Sequence, residues 1–251
     1  MRTVAIIPAR FASTRFPGKP LALILGKPLI QWTYEQALQV KGLDGVWIAT
    51  DDERIEAGVE TLGGQVVMTR GDHPSGSDRL AEAARLLNLA PEDIVINIQG
   101  DQPVFPPELI SCLADVLVRD PEVVMVTPVR RLSEAAAAAN PNVVKVVFDR
   151  VGRALYFSRS PLPYWRDGGQ TYFYKHIGIY GYRVQFLREF VHLPAGRWEE
   201  AEKLEQLRAL EHGFPIHIVE TEEDTREVDT LEDLHKVEEF LRSLPLNEPQ
   251  H

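Results

Sequence analysis

The chain has 251 residues, 44% of them hydrophobic and 25% charged, which excludes the disordered and fibrous classes and leaves room for one large globular domain or two small ones. A formal net charge of -10 argues against nonspecific nucleic-acid binding, which needs an extended basic surface to displace counterions. The charge is uneven: residues 1–34 hold Arg2, Arg10, Arg15, Lys19 and Lys27 and no acid, a local balance of +5 against -15 for the remainder.

The first apolar run, "VAII", is too short for a signal-peptide core and is followed by Pro8 and Arg10. No 18-residue apolar stretch occurs elsewhere, so neither export nor membrane insertion is expected. Cys112 is the only cysteine, which rules out an intrachain disulfide and fits a reducing cytoplasm. Helical spacing in "PPELISCLADVLVRD" predicts that it lies in the core.

From "VAII" onward, short β-branched runs alternate with longer amphipathic stretches: "LIQWTYEQALQV", then "VWIAT"; "DERIEAGVETLG", then "QVVMT"; "SDRLAEAARLLNL", then "DIVINI" and the segment bearing Cys112. Continuous apolar strands imply burial on both faces, hence a mostly parallel sheet between helices. The first ~130 residues therefore read as doubly wound α/β, whose ligands bind beyond the carboxyl ends of the strands. The rhythm then changes to closely spaced strands: "VVMVTPVRR", "VVKVVFD", "ALYFSRS" and "KHIGIYGYR". The five-alanine run at 135–139 is helix-prone, and "PLPYWRDGGQTYFY" reads as a loop or hairpin excursion. Helical spacing returns in "WEEAEKLEQLRALEHG", followed by strand "PIHIV", a last helix in "TLEDLHKVEEFLRSL" and a loose tail.

With "VAII" as the first strand, "PARFASTRFPGKP" is the loop at its carboxyl end and its cations face the ligand crevice. Arginine offers a planar fork to phosphate oxygens and lysine a mobile point charge, so the loop suits a triphosphate. The plainer alternative is a solvated loop paired with the acidic remainder. Neither G-x-x-x-x-G-K-[ST] nor G-x-G-x-x-G is present, because Gly18-Lys19 is followed by Pro20.

"IPARFASTRFPGKPL" resembles the signature loop of the sugar-acid cytidylyltransferases, in particular those that activate 3-deoxy-manno-octulosonate (KDO). The likeness continues through "ATDDERI", "MTRGDHPSGSDRLAE", "NIQGDQP", "NPNVVKVV", "ALYFSRSPLP", "HIGIYGYR", "LEQLRALEHG" and "VDTLEDL", nearly the whole chain in the family's order. The resemblance implies a Rossmann-like nucleotidyltransferase that couples CTP to KDO with Mg2+, releases diphosphate and serves lipopolysaccharide synthesis as a cytoplasmic homodimer. It implies one domain over 1–251, with a nucleotide-binding core at about 1–130 and 200–245 and a strand-rich sugar-binding and dimerisation part at about 131–199.

By the same resemblance, Arg10, Ser13, Arg15 and Lys19 form the triphosphate loop and Asp101 and Asp229 bind the metal. Taken alone, Asp101 also suits a turn, and Asp229, with Glu232 three residues on, suits a helix cap. Ser75, Gly76 and Ser77 match nucleotide-binding positions, although plain capping by Ser75 or Ser77 also fits the spacing. Gln99 reads cytosine or positions the sugar acid. Arg159, His176, Tyr180, Glu205 and Gln206 occupy sugar-side positions, against readings of His176 as structural, Tyr180 as packed sheet surface and Glu205 as an exposed helix acid. Gln102 and Leu231 depart from the family's Glu and Pro. Rival functions are activation of another sugar acid, such as sialic acid or 8-amino-KDO, and a non-catalytic nucleotide-sugar binder on the same fold.

Overall fold

The computed structural model describes residues 1–11, 16–132, 135–167 and 172–243. Its first half runs β1 (Thr3–Ala9), a single 3-10 turn (Lys19–Leu21), the hairpin β2 (Leu23–Ile24) and β3 (Lys27–Pro28), α1 (Leu29–Leu38), β4 (Gly45–Thr50), α2 (Glu53–Glu60), β5 (Val66–Met68), α3 (Gly76–Leu86), β6 (Ile94–Asn97) and α4 (Pro107–Arg119). The second half contributes β7 (Met125–Leu132), α5 (Ala135–Ala139), β8 (Lys145–Phe148), β9 (Ala154–Ser158), β10 (Phe173–His176), β11 (Tyr180–Arg183), α6 (Val184–Phe190), α7 (Arg197–Glu202), α8 (Gln206–Glu211), β12 (His217–Thr221) and α9 (Leu231–Ser243).

Side chains alternate across a strand, so a strand buried on both faces must be apolar at every position. β1 meets that demand: Val4 and Ile6 enter one core layer, Ala5 and Ile7 the other, and all four are fully buried. β4 and β6 flank β1, both parallel to it, and β5 extends the sheet beyond β4. The chain thus builds outward from β1 in one direction and then crosses to its other side for β6. This is a topological switch point, where the loops after β1 and β6 diverge and leave a crevice.

The strand-rich second half continues the same sheet. β11 pairs antiparallel with β6, and the order runs β5-β4-β1-β6-β11-β7-β10-β8-β9, with β12 parallel to β7. Two expectations need correction. Cys112 is exposed, because the buried stripe of α4 is Leu109, Ile110, Leu113, Ala114 and Leu117 and Cys112 lies off it. The helical pattern of residues 198–213 is two helices, since Lys203 adopts a left-handed φ of 53° between α7 and α8. α6 carries no polar punctuation after β11 and escaped the sequence reading. Among the described residues no helix is long and apolar enough to cross a membrane.

Gly181 of β11 sits where the sheet meets α4: a Cβ there would lie 2.7 Å from Leu117 Cδ1 and 2.8 Å from Val126 Cγ1. Gly181→Ala is expected to destabilise the fold by about 1–3 kcal/mol through overpacking, read as a lower urea midpoint with an unchanged slope.

Candidate active site

The crevice at the switch point has a volume of about 250 Å³ and is lined by Pro8, Ala9, Arg10, Lys19, Pro20, Gly76, Gln99, Gly100 and Asp101. It is small because two backbones approach closely. A Cβ on Gly100 would stand 2.9 Å from the Pro8 carbonyl oxygen, so only glycine lets the loop after β6 lie against the end of β1. The Thr33 hydroxyl on α1 donates to the Gly100 carbonyl at 3.3 Å and holds that loop from behind.

Lys19 reaches the crevice because its own loop folds back. The Gly18 amide donates to the Phe11 carbonyl at 3.1 Å, with Gly18 at a φ of +73° and its α-carbon against the Phe11 ring. The Arg54 guanidinium lies over the same ring, 3.3 Å from its centroid. Buried Pro20 then starts the 3-10 turn that carries Lys19.

The Lys19 ammonium donates to Asp101 Oδ2 at 2.6 Å, to the Val228 carbonyl at 2.9 Å and to Asp229 Oδ1 at 3.4 Å. The acids come from segments more than a hundred residues apart, brought together by a short antiparallel pairing: Arg226 bridges Val104, and the Val228 amide donates to the Asp101 carbonyl at 2.9 Å. Asp229 does not cap α9 with Glu232. The capping pair is one residue later: Thr230 Oγ1 accepts from the Asp233 amide at 3.2 Å, and Asp233 Oδ2 accepts from the Thr230 amide at 2.9 Å. Thr230 carries the cap and leaves the Asp229 carboxylate facing Lys19.

Arg10 leaves the end of β1 and donates to the Ser75 carbonyl at 2.6 Å, tying the basic loop to the start of α3. Ser13 and Arg15 lie outside the described residues. Ser75 caps α3, accepting from the Asp78 amide at 3.2 Å and donating to Asp78 Oδ2 at 2.6 Å. Gly76 stays on the crevice wall. Ser77 turns away from it: buried, it donates to Glu205 Oε2 at 2.8 Å.

The remaining sugar-side candidates divide. Glu205 and Gln206 sit together at the start of α8, and the buried atoms Glu205 Oε1 and Gln206 Nε2 have no hydrogen-bond partner among the described residues. Burial raises the Glu205 carboxyl above its ordinary pKa, against the Ser75 and Ser77 hydroxyls, which lower it. Tyr180 is buried and its ring lies 5.3 Å from that of His176. His176 is sheet core: its Nε2 is 3.0 Å from the Thr127 hydroxyl, and burial lowers its pKa to about 3. The Arg159 guanidinium donates to the main-chain carbonyls of Glu202 at 2.7 Å and Pro141 at 3.0 Å, with that of Lys203 at 3.5 Å, so it braces the turn before α8. None of these contacts brings Arg159 to Gln99 or Asp101.

Two residues near the site escaped the sequence reading. Arg79 is fully buried, ion-paired with Asp51 at 2.8 Å and donating to Thr69 Oγ1 at 2.6 Å; it locks α3 to the ends of β4 and β5 with its charge near Arg10. Its signal was a cation four residues before Ala83, in phase with the apolar stripe. Tyr182, on β11, lies near Ser77 and Glu205. The apolar run around it reads simply as strand.

For Asp101 and Asp229 as magnesium ligands the donor set fits: two hard carboxylates already converge on one cationic centre, the Lys19 ammonium. Magnesium needs only one or two carboxylates when phosphate oxygens and water complete its shell. Among the described residues no group of three or more His, Cys, Asp or Glu side chains forms a metal cage.

The environment of His176 has a measurable consequence. Its folded pKa of about 3 lies below the ordinary 6.5, so the unfolded chain binds more protons between the two values. The contribution of neutral His176 to stability is therefore complete above the unfolded pKa and declines as pH falls below it, at up to ~1.4 kcal/mol per pH unit. Two-dimensional NMR of the imidazole nitrogens is expected to show His176 neutral and untitrated between about pH 5 and 8.

The cytidylyltransferase family model matches residues 4–224. A 3-deoxy-manno-octulosonate cytidylyltransferase of Syntrophobacter fumaroxidans is 53% identical over 94% of this chain and 96% of its own length. An 8-amino-3,8-dideoxy-manno-octulosonate cytidylyltransferase of a Shewanella species is 50% identical over 96% of this chain and 99% of its own. The solved structure of CMP:2-keto-3-deoxy-manno-octonic acid synthetase complexed with CTP superposes with a TM-score of 0.92 at 44% identity, covering 96% of this chain and 99% of that one. With the crevice at the sheet's switch point and matches of this extent, the chain belongs to the cytidylyltransferase family.

Proposed function

We propose that the chain is a KDO cytidylyltransferase, converting CTP and KDO to CMP-KDO and diphosphate for lipopolysaccharide synthesis in the cytoplasm. The observation that carries the reading is the meeting of Lys19, Asp101 and Asp229 at the mouth of a crevice also lined by Arg10, Gly76 and Gln99. A merely nucleotide-sugar-binding protein has no need of two carboxylates beside its phosphate-facing lysine.

In the reaction, the anomeric hydroxyl of the sugar acid attacks the α-phosphorus of CTP in line with the departing diphosphate. Arg10 and Lys19 offset charge on the phosphate oxygens, with Arg15 and Ser13 of the same loop assigned alongside them. Gly76 and Gln99 wall the nucleotide, with Ser75 shaping the turn behind them. Glu205 and Gln206 offer one acceptor and one donor to sugar hydroxyls, and Tyr180 flanks them as a protonated phenol, since burial holds its pKa well above the ordinary value. Arg159 supports the sugar side through the turn it braces, and neutral His176 supports Tyr180. Asp101 and Asp229 would hold Mg2+, which when bound supplies Lewis-acid stabilisation of phosphate charge. Catalysis by these residues is positioning and electrostatics, with no covalent enzyme intermediate. The exposed Leu155, Tyr164 and Tyr172 on the strand-rich part are consistent with a homodimer.

Relatives of nearly equal identity are named for KDO and for its 8-amino counterpart, so the sugar is tested directly. Diphosphate release from CTP and Mg2+ is expected with KDO and with at least ~10-fold lower kcat/KM for the 8-amino sugar. The reverse preference overturns the choice of sugar, and no release with either overturns the activity. Lys19→Ala is expected to lower kcat by at least ~100-fold, and a value within a few-fold of the parent chain rejects its role in offsetting charge.

A further inference from the structure

The hydroxyl of Ser77 is placed to do something other than touch nucleotide. α3 begins on the crevice wall at Gly76, and the next side chain points into the protein. There Ser77 donates to Glu205 across 128 positions of sequence, with the Tyr182 phenol close by. Its bond engages Oε2 and leaves Oε1 buried without a hydrogen bond among the described residues, and the buried Nε2 of the adjoining Gln206 likewise makes none. Arg208 makes only a long ion pair with that oxygen, at 3.9 Å, its guanidinium being hydrogen-bonded to Glu199 at 2.6 and 2.8 Å.

An unmade bond to a buried carboxylate oxygen is costly, and a freely rotating carboxylate would satisfy either oxygen from the same donor. A fixed donor on one oxygen orients the other. We propose that Ser77 is a positioning residue for the sugar-acid side: by holding Glu205 Oε2 it aims Oε1, beside Gln206 Nε2, at a polyhydroxylated substrate, and so links the nucleotide wall to the sugar pocket. This rests on the reading of Glu205 and Gln206 as sugar-side groups.

The test is steady-state kinetics of diphosphate release with each substrate varied, for the parent chain, Ser77→Ala, Ser77→Thr, Glu205→Gln and the double variant S77A/E205Q. Ser77→Ala is expected to raise KM for KDO by about tenfold and KM for CTP by no more than about twofold, with Ser77→Thr restoring most of the loss because it keeps the hydroxyl. The double variant is expected to match Glu205→Gln alone, since the amide puts an NH2 group where the aimed oxygen stood and holding it in place then confers nothing. A CTP-induced rise in melting temperature equal to the parent's shows that Ser77→Ala keeps an intact nucleotide wall. An equal rise in both KM values, no change in either, a loss of the CTP-induced shift, or full additivity in the double variant overturns the proposal. If Glu205→Gln itself leaves KM for KDO unchanged, the sugar-side reading fails. If Glu205→Gln raises it and Ser77→Ala does not, only the positioning role fails.

Discussion

The site depends on one ammonium group held between two carboxylates that the sequence keeps far apart. Lys19 is largely buried, with 15% of its side chain exposed, so its charge is seated against Asp101, Asp229 and the Val228 carbonyl rather than solvated. Each partner is delivered by a separate device: the folded-back loop closed by Gly18 and Phe11, the glycine that lets the β6 loop touch β1, and the short pairing of residues 226–228 along 101–104. None of these devices is chemistry, yet each fixes where one of the three charges stands.

The alternation of strands and helices over the first ~130 residues was legible because a strand buried on both faces needs an unbroken apolar run. The crevice followed from topology alone. The side-chain contacts did not, for a shared reason. Asp229 and Glu232 have capping spacing, but so do Thr230 and Asp233 one residue on; the folded chain uses the second pair and turns Asp229 toward Lys19, a contact made across 210 positions of sequence. Arg159 offers a fork that suits a substrate carboxylate, but carbonyls turned out at the left-handed residue Lys203 occupy it. Cys112 has a helical spacing to apolar neighbours, but a helix buries only one stripe.

A second polar group gathers around the start of α3: Ser77, Tyr180, Tyr182 and Gln206 are buried, and Glu205, joined to Ser77, is half-buried. Desolvation sets its chemistry: it raises the carboxyl and phenol pKa values, lowers that of His176, and makes unpaired oxygens and nitrogens costly. The crevice, by contrast, sets the charges of Arg10, Lys19 and Asp101 among proline, alanine and glycine.

The central claim is that Asp101 and Asp229 serve one cation site. The most direct measurement is titration of Mn2+, a magnesium surrogate, by electron paramagnetic resonance in the presence of CTP. The account predicts that Asp101→Asn and Asp229→Asn each weaken binding by at least ~10-fold, and that the double variant falls short of the product of the two losses. Binding as tight as that of the parent chain in either single variant, or fully multiplicative losses, would contradict a shared site.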